Sequence, residues 1–208
     1  MRNLLRRFPL VLALSGVLPM WGCSHSDAPA PGFYQVVAIS DIHFNPLYDP
    51  TLYSSLVAAD PGDWPGVFET SAVTAPAADG TDTNYPLLQL ALADIKRHMG
   101  ASPVVLFTGD LLGHNIPTLF CDASKNQAPN TPCTPSPAVA AMIPPFIDKT
   151  FSFVAAQIRA AAGDAPVIYV PGNIDTYGPG LGPDSTFLTN NGGWPCFCFS
   201  LVSPARTP

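Results

Sequence analysis

The stretch PVVLFTGD, at residues 103–110, is an apolar run that ends in a glycine and an aspartate. Two further runs have the same form: QVVAISDIH at residues 35–43 and PVIYVPGN at residues 166–173. A short apolar run rich in β-branched residues and bounded by turn residues is typical of a buried parallel strand. Because polar residues follow each run at its C-terminal end, the three runs predict parallel strands that share one ligand-binding edge of a sheet.

Helical segments separate these runs. Over residues 86–99, apolar side chains recur at three- and four-residue spacing, which predicts an amphipathic helix that ends at Gly100. A second helix is predicted to begin at Ser136, to break or kink at prolines 144 and 145, and to resume over residues 146–162. The resulting β-α-β-α-β order predicts an α/β fold with right-handed crossovers.

Residues 44–85 form a long connection rich in Pro, Gly and Asp, with a short helix predicted near residues 63–70. The connection carries the aromatic residues Tyr48, Tyr53, Trp64 and Phe68. A loop of this length in a compact domain is often a substrate wall or lid. The alternative is that these aromatic residues only cap the sheet.

The N-terminus has the features of an export signal. A basic stretch precedes an apolar run at residues 8–21 that is too short for a comfortable membrane span. The run ends MWGCS, which resembles a bacterial lipoprotein box in which Cys23 receives the lipid. We therefore expect residues 1–23 to be a signal peptide with a lipid anchor at Cys23. The alternative is ordinary signal cleavage nearby, with Cys23 removed or left free.

The rest of the chain divides into three predicted regions. Residues 24–32 are expected to form a tether, residues 33–195 a partial catalytic-type domain, and residues 196–208 an atypical or truncated tail. A genuine short C-terminus is the alternative for the tail. The predicted location is the periplasm or cell envelope of a bacterium, with membrane attachment through Cys23, or otherwise secretion.

Export permits disulfides. Cys121 and Cys133 bracket a polar loop rich in Pro and Asn, and a bridge between them is predicted to stabilise the fold by about 3 kcal/mol. Cys196 and Cys198 are separated by one residue and are not expected to bond to each other.

The charge balance argues against nucleic-acid binding. Three of the nine basic residues lie at positions 2, 6 and 7, which leaves six basic against fifteen acidic residues in the rest of the chain. No basic stripe is present that could follow a phosphate backbone.

The polar residues that follow the strands form a candidate metal-binding set. Asp41 and His43 are two positions apart, so on an extended segment they face the same way. Asp110 and Asn173 would join them at the same edge. Asp, His and Asn are donors that suit zinc, manganese or iron rather than copper(I). Taken singly, the two aspartates could instead cap loops or helices, and Asn173 could be a turn amide.

The order D-x-H, G-D, G-N-x-[DE] resembles the calcineurin-like metallophosphoesterases. The segments SDIHFNPLYDP (40–50), FTGDLLGHN (107–115) and VPGNIDTYG (170–178) are similar to the branch that contains acid sphingomyelinase. The resemblance spans residues 35–195. It implies a layered α/β/β/α sandwich, represented here mainly by its N-terminal β-α-β-α-β half.

The resemblance also implies chemistry: two divalent ions, zinc before manganese or iron, held by Asp41, His43, Asp110 and Asn173. His114 would donate a proton to the leaving group, and Asp175, at the acidic position of the motif, would support the ligands from behind. Isoleucine at position 174 departs from the family, which places a histidine there. The family's two later histidine motifs are also missing, since no histidine follows Asn173 in this sequence.

The expected function is therefore metal-dependent hydrolysis of phosphate esters, in which hydroxide attacks phosphorus. The alternative is a catalytically incompetent envelope lipoprotein that acts as a binding module or has no function. We expect this chain to bind at most one ion tightly. A half-sandwich should also leave a sheet edge or an apolar sheet face uncovered.

Overall fold

The computed structural model describes residues 35–100, 103–129, 131–178 and 182–191. The predictions for the signal peptide, Cys23 and the tether, and those for Cys196, Cys198 and the tail, lie outside the described residues.

The three apolar runs form one parallel sheet with the strand order β1-β2-β3. These strands are β1 (Gln35–Ile39), β2 (Pro103–Phe107) and β3 (Val167–Tyr169). Val37 of β1 pairs with Val105 of β2, which pairs with Val167 of β3. The predicted α/β class is confirmed, and each strand ends just before the polar residues that follow it.

Six helices accompany the sheet in the described part of the chain. They are α1 (Tyr53–Ala58), α2 (Trp64–Phe68), α3 (Tyr85–His98), α4 (Ile116–Ser124), α5 (Pro137–Ala162) and α6 (Ser185–Asn191). The side chain of Asn84 caps α3 by accepting a hydrogen bond from the Leu87 amide at 3.1 Å. Both the helix predicted over residues 86–99 and the short helix near residues 63–70 are present.

A break or a kink was predicted in the second helix; the break does not occur, because α5 continues through Pro144 and Pro145. Each proline removes one hydrogen bond to the carbonyl four residues earlier. Ile143, Phe146 and Ile147 flank the prolines and are buried, so packing holds both halves of α5 on the core. The length and hydropathy of α5 would also suit a membrane span, a test that the core helix of a globular domain passes as well.

The described residues cover one of the two faces of the sheet. Val105, Phe107 and Val167 point into the core, where they are at most 5% exposed. On the opposite face, Val36 and Ile168 are 54% and 44% exposed. Among the described residues, this apolar face therefore has no covering layer.

The long connection between β1 and α3 contributes its aromatic side chains to the core. Trp64 is fully buried, and its ring centroid lies 5.4 Å from that of Phe153 on α5. Phe68 is also buried and packs against Phe44. These contacts favour the reading in which the aromatic residues support the sheet, whereas Tyr48 lies in the wall of an open cleft.

The Cys121–Cys133 disulfide is present in the structure, with the two Cα atoms 5.9 Å apart. It joins α4 to the segment that leads into α5, in agreement with the predicted bridge. Beside it, buried Asp122 accepts a hydrogen bond from the Thr131 amide at 3.1 Å.

Candidate metal centre

Backbone hydrogen bonds join the loops that follow β1 and β2. The amide of Asp41 donates to the Gly109 carbonyl at 3.1 Å, and the amide of His43 donates to the Asp110 carbonyl at 2.9 Å. The parallel pairing thus continues beyond the strands. It places the D-x-H and G-D motifs side by side, as expected for polar residues at the carboxyl ends of adjacent strands.

Asp41, His43 and Asp110 form a compact group of possible metal ligands. One ligand atom from each lies within 4.8 Å of the other two. Nε2 of His43 is 3.6 Å from a carboxylate oxygen of Asp41. The side chain of His43 is mostly buried, whereas that of Asp41 is exposed, so the group opens to solvent on one side.

The ring of His43 is oriented by the backbone. Its Nδ1 lies 3.3 Å from the Leu112 carbonyl oxygen. A carbonyl can only accept, so Nδ1 is the donor in this contact and Nε2 is the ring nitrogen on the side of Asp41. A backbone carbonyl that fixes the tautomer in this way is a common partner of metal-binding histidines.

All three of these residues have left-handed backbone conformations. The φ angles are +54° for Asp41, +45° for His43 and +54° for Asp110. Residues other than glycine seldom adopt this region, and each such conformation costs about 1 kcal/mol or more. The hydrogen-bonded loops hold these conformations in place. Strain of this kind clusters at functional sites.

Two glycines let the loops after β2 and β3 touch. A Cβ atom added to Gly172 would lie 2.1 Å from a carboxylate oxygen of Asp110, and one added to Gly109 would lie 2.2 Å from the Gly172 nitrogen. No side chain fits at either position. The G-D and G-N motifs therefore form one unit, in which the Ile174 amide donates to the Asp110 carboxylate at 2.8 Å.

The buried side chain of Asp175 stabilises this unit through hydrogen bonds to backbone amides. It is fully buried, and one carboxylate oxygen accepts from the amides of Asp110 (3.0 Å) and Gly172 (2.9 Å). The other oxygen accepts from the amides of Leu111 (2.9 Å) and Leu112 (3.2 Å). The carboxylate thus fixes the backbone of a candidate ligand and of the carbonyl that orients His43.

Tyr169 completes the surroundings of Asp175 by donating its hydroxyl proton at 2.7 Å. Burial, followed by the negative charge of Asp175, raises the pKa of Tyr169 well above its ordinary value. The phenol therefore stays protonated and remains a donor.

Asn173 and Ile174 lie at the same edge of the sheet. Asn173 is exposed and directly follows Gly172, which packs against Asp110. Its backbone carbonyl accepts from the Gly182 amide at 2.8 Å. Ile174 packs its side chain against the hydrophobic core and contributes only its backbone amide to Asp110.

His114 stacks on His43, with ring centroids 4.2 Å apart. Asp82 anchors it twice: the backbone amide of His114 donates to one carboxylate oxygen at 2.8 Å, and Nδ1 lies 2.6 Å from the other. Asp82 was not predicted from the sequence. It reaches His114 because Thr83 pairs with the segment after β1, through a 2.9 Å hydrogen bond from its amide to the His43 carbonyl.

A cleft with a volume of about 460 Å³ opens beside His114. Its walls include Tyr48, Asp82, Asn115 and Leu119. The cleft lies next to the candidate ligands without including them, so a molecule bound there would meet the exposed edge of the His114 ring.

Comparisons of the chain with protein-family models, with curated proteins and with solved structures found no match. Only the motifs and the geometry of the described residues therefore bear on the function.

Proposed function

We propose that the chain has the metal-binding core of a calcineurin-like metallophosphoesterase, similar to the acid sphingomyelinase branch, and hydrolyses phosphate esters. The observation that carries this proposal is the group of Asp41, His43 and Asp110, whose ligand atoms lie within 4.8 Å of one another. The parallel β1-β2-β3 sheet is consistent with the N-terminal half of the layered sandwich of that family.

The donor set suits a divalent ion, with zinc first and manganese or iron as alternatives. Asp41, His43 and Asp110 would hold this ion, and Asn173 would offer a neutral oxygen toward a second one in the complete family site. A bound ion of this kind supplies an acidified water and neutralises charge on the phosphate.

The protein's own groups then position the ester and move a proton. Asp82 occupies Nδ1 of His114, so Nε2 is the nitrogen that can reach a substrate. From Nε2, His114 donates a proton to the oxygen of the departing alcohol, a role that suits imidazole near neutral pH. The products are a phosphate with one fewer ester bond and a free alcohol.

The described residues offer one compact group of His and carboxylate ligands, and the full 208-residue sequence contains four histidines. We therefore expect one tightly bound ion and slow turnover. Without the ion, Asp41 and Asp110 repel each other, which ties the order of the loops to metal binding.

The proposed setting is the bacterial envelope. The basic and apolar leader and the MWGCS sequence support export and lipid attachment at Cys23. The acidic balance of the chain favours a phosphate-ester substrate held by metal rather than a nucleic-acid scaffold.

Zinc binding by the purified chain tests the proposal. We expect about one equivalent of zinc by metal analysis, and hydrolysis of bis(4-nitrophenyl) phosphate that stops when a chelator is added. Asp110→Ala should abolish both, whereas Asp164→Ala, at an exposed position after α5, should change neither. A chain that binds no zinc, or an Asp110→Ala variant that keeps full activity, would refute the proposal. Two tightly bound equivalents would refute the single-ion expectation.

The second candidate is a non-enzymatic metal-binding module. The specific observation in its favour is Ile174, an apolar side chain packed on the core where the resembled family carries a histidine. Zinc binding without hydrolysis of any phosphate ester would support this candidate over the hydrolase.

A further inference from the structure

Few charged residues line the cleft beside His114. Of the described residues that line it, Asp82 is the only acidic one, it pairs with His114, and neither lysine nor arginine is among them. The other lining residues are neutral: Asn45, Leu47, Tyr48, Gly80, Thr81, Asn115, Leu119 and Pro129.

Four of the five lysines and arginines in the described part of the chain make side-chain contacts elsewhere, and the fifth, Lys96, does not line the cleft. Lys149 donates to the carbonyls of Val57 and Ala59, and Arg159 donates to the carbonyl of Ala165. Arg97 pairs with Asp94 within α3, and Lys125 donates to the Thr134 carbonyl. An anionic group in the cleft would therefore meet no lysine or arginine among the described residues that line it.

We infer that this cleft is the subsite for the leaving group and that it selects esters whose leaving group is uncharged or cationic over those whose leaving group is anionic. The inference rests on the proposed hydrolase function. The geometric basis of the inference is the position of His114. The His114 ring stacks on the ring of the candidate ligand His43 and also lines the cleft.

In the reaction, water forms a new bond to phosphorus while the bond from phosphorus to the leaving-group oxygen breaks. The oxygen takes up a proton and departs as an alcohol or phenol into the cleft. An uncharged aryl or alkyl group can pack against Leu47, Tyr48 and Leu119. A phosphate or carboxylate at the same place would lose part of its hydration beside Asp82, which already pairs with His114, and no lysine or arginine among the described lining residues would offset that cost.

Two matched aryl esters test this selectivity: methyl 4-nitrophenyl phosphate and methyl 3-carboxy-4-nitrophenyl phosphate. They have the same reacting centre and differ by one carboxylate on the leaving group. For the zinc-loaded chain at high protein concentration, we expect kcat/KM to be roughly tenfold lower for the carboxylated ester, the size of one charge contact near a protein surface.

Thr81 offers a variant that changes the charge of the cleft and leaves the candidate ligands and His114 intact. Its side chain is exposed, and its hydroxyl donates only to the Ala78 carbonyl at 2.6 Å within a turn. Thr81→Lys should remove most of the discrimination against the carboxylated ester. Thr81→Gln loses the same hydrogen bond without adding charge and should keep the discrimination.

The outcomes separate the two proposals. Equal kcat/KM for both esters, or equal effects of Thr81→Lys and Thr81→Gln, would overturn the subsite while leaving the hydrolase function standing. Zinc binding with no release of either phenol would overturn the hydrolase function, and the leaving-group subsite with it.

Discussion

Replacing Asp175 with asparagine should strongly destabilise the protein. The fully buried carboxylate accepts four backbone hydrogen bonds, two at each oxygen, between 2.9 and 3.2 Å. In the Asp175→Asn variant one of these oxygens becomes an NH₂ group. Whichever way the amide is turned, two backbone donors then face a donor: those of Leu111 and Leu112, or those of Asp110 and Gly172.

The cost follows from these orphaned donors. Each buried donor without an acceptor costs about 1–3 kcal/mol, so the variant should lose about 2–6 kcal/mol. Single domains are usually stable by about 5–15 kcal/mol, so a loss of this size should be plain in urea unfolding followed by circular dichroism. Because the same bonds fix the backbone of Asp110, zinc affinity should fall about tenfold or more.

Asp164→Asn is a suitable control, because Asp164 is exposed just after α5. This substitution removes the same charge as Asp175→Asn. We expect this variant to lie within about 0.5 kcal/mol of the parent chain. If Asp175→Asn were equally harmless, the carboxylate would not be holding the loops after β2 and β3 together.

Three further predictions follow from the same structure. In Gly172→Ala the new Cβ would lie 2.1 Å from the Asp110 carboxylate, so zinc affinity should fall in calorimetric titration, whereas Gly66→Ala, with open space around it, should leave affinity unchanged. Replacing both cysteines of the Cys121–Cys133 disulfide by serine should cost about 3 kcal/mol in urea unfolding, and no change would contradict a stabilising role. Ile168→Thr, on the exposed sheet face, should raise the soluble yield; an unchanged yield would mean that this face does not drive association.

The elements with strong local patterns could be predicted from the sequence. The apolar runs gave the strands, because buried parallel strands need continuous hydrophobic residues, and Asn84 and Gly100 flank a helix that the spacing of its leucines already indicates. The D-x-H and G-D motifs meet as predicted, because parallel strands deliver their C-terminal ends to one edge.

Features set by contacts distant in sequence could not be predicted. Asp82 lies in a loop with no pattern of its own, and only the pairing of Thr83 with the segment after β1 brings it to His114, which is 32 residues away in sequence. For a related reason, the sequence left open a break in α5 that the structure does not contain. Proline is unfavourable inside a helix, but the burial of Phe146 and Ile147 outweighs that local preference.

The contact between Gly109 and Gly172 has a consequence for when the proposed metal ion could bind during synthesis. Asp41, His43 and Asp110 have all left the ribosome well before β3, yet the backbone amide of Asp110 donates to Asp175 and its carboxylate accepts from Ile174, and both of these partners follow β3. A nascent chain that stops short of β3 therefore contains every residue of the ligand group without the support that fixes Asp110. Tight binding of the proposed ion would then be a late event, and the ion would not hold the first half of the chain in place before the second half has docked.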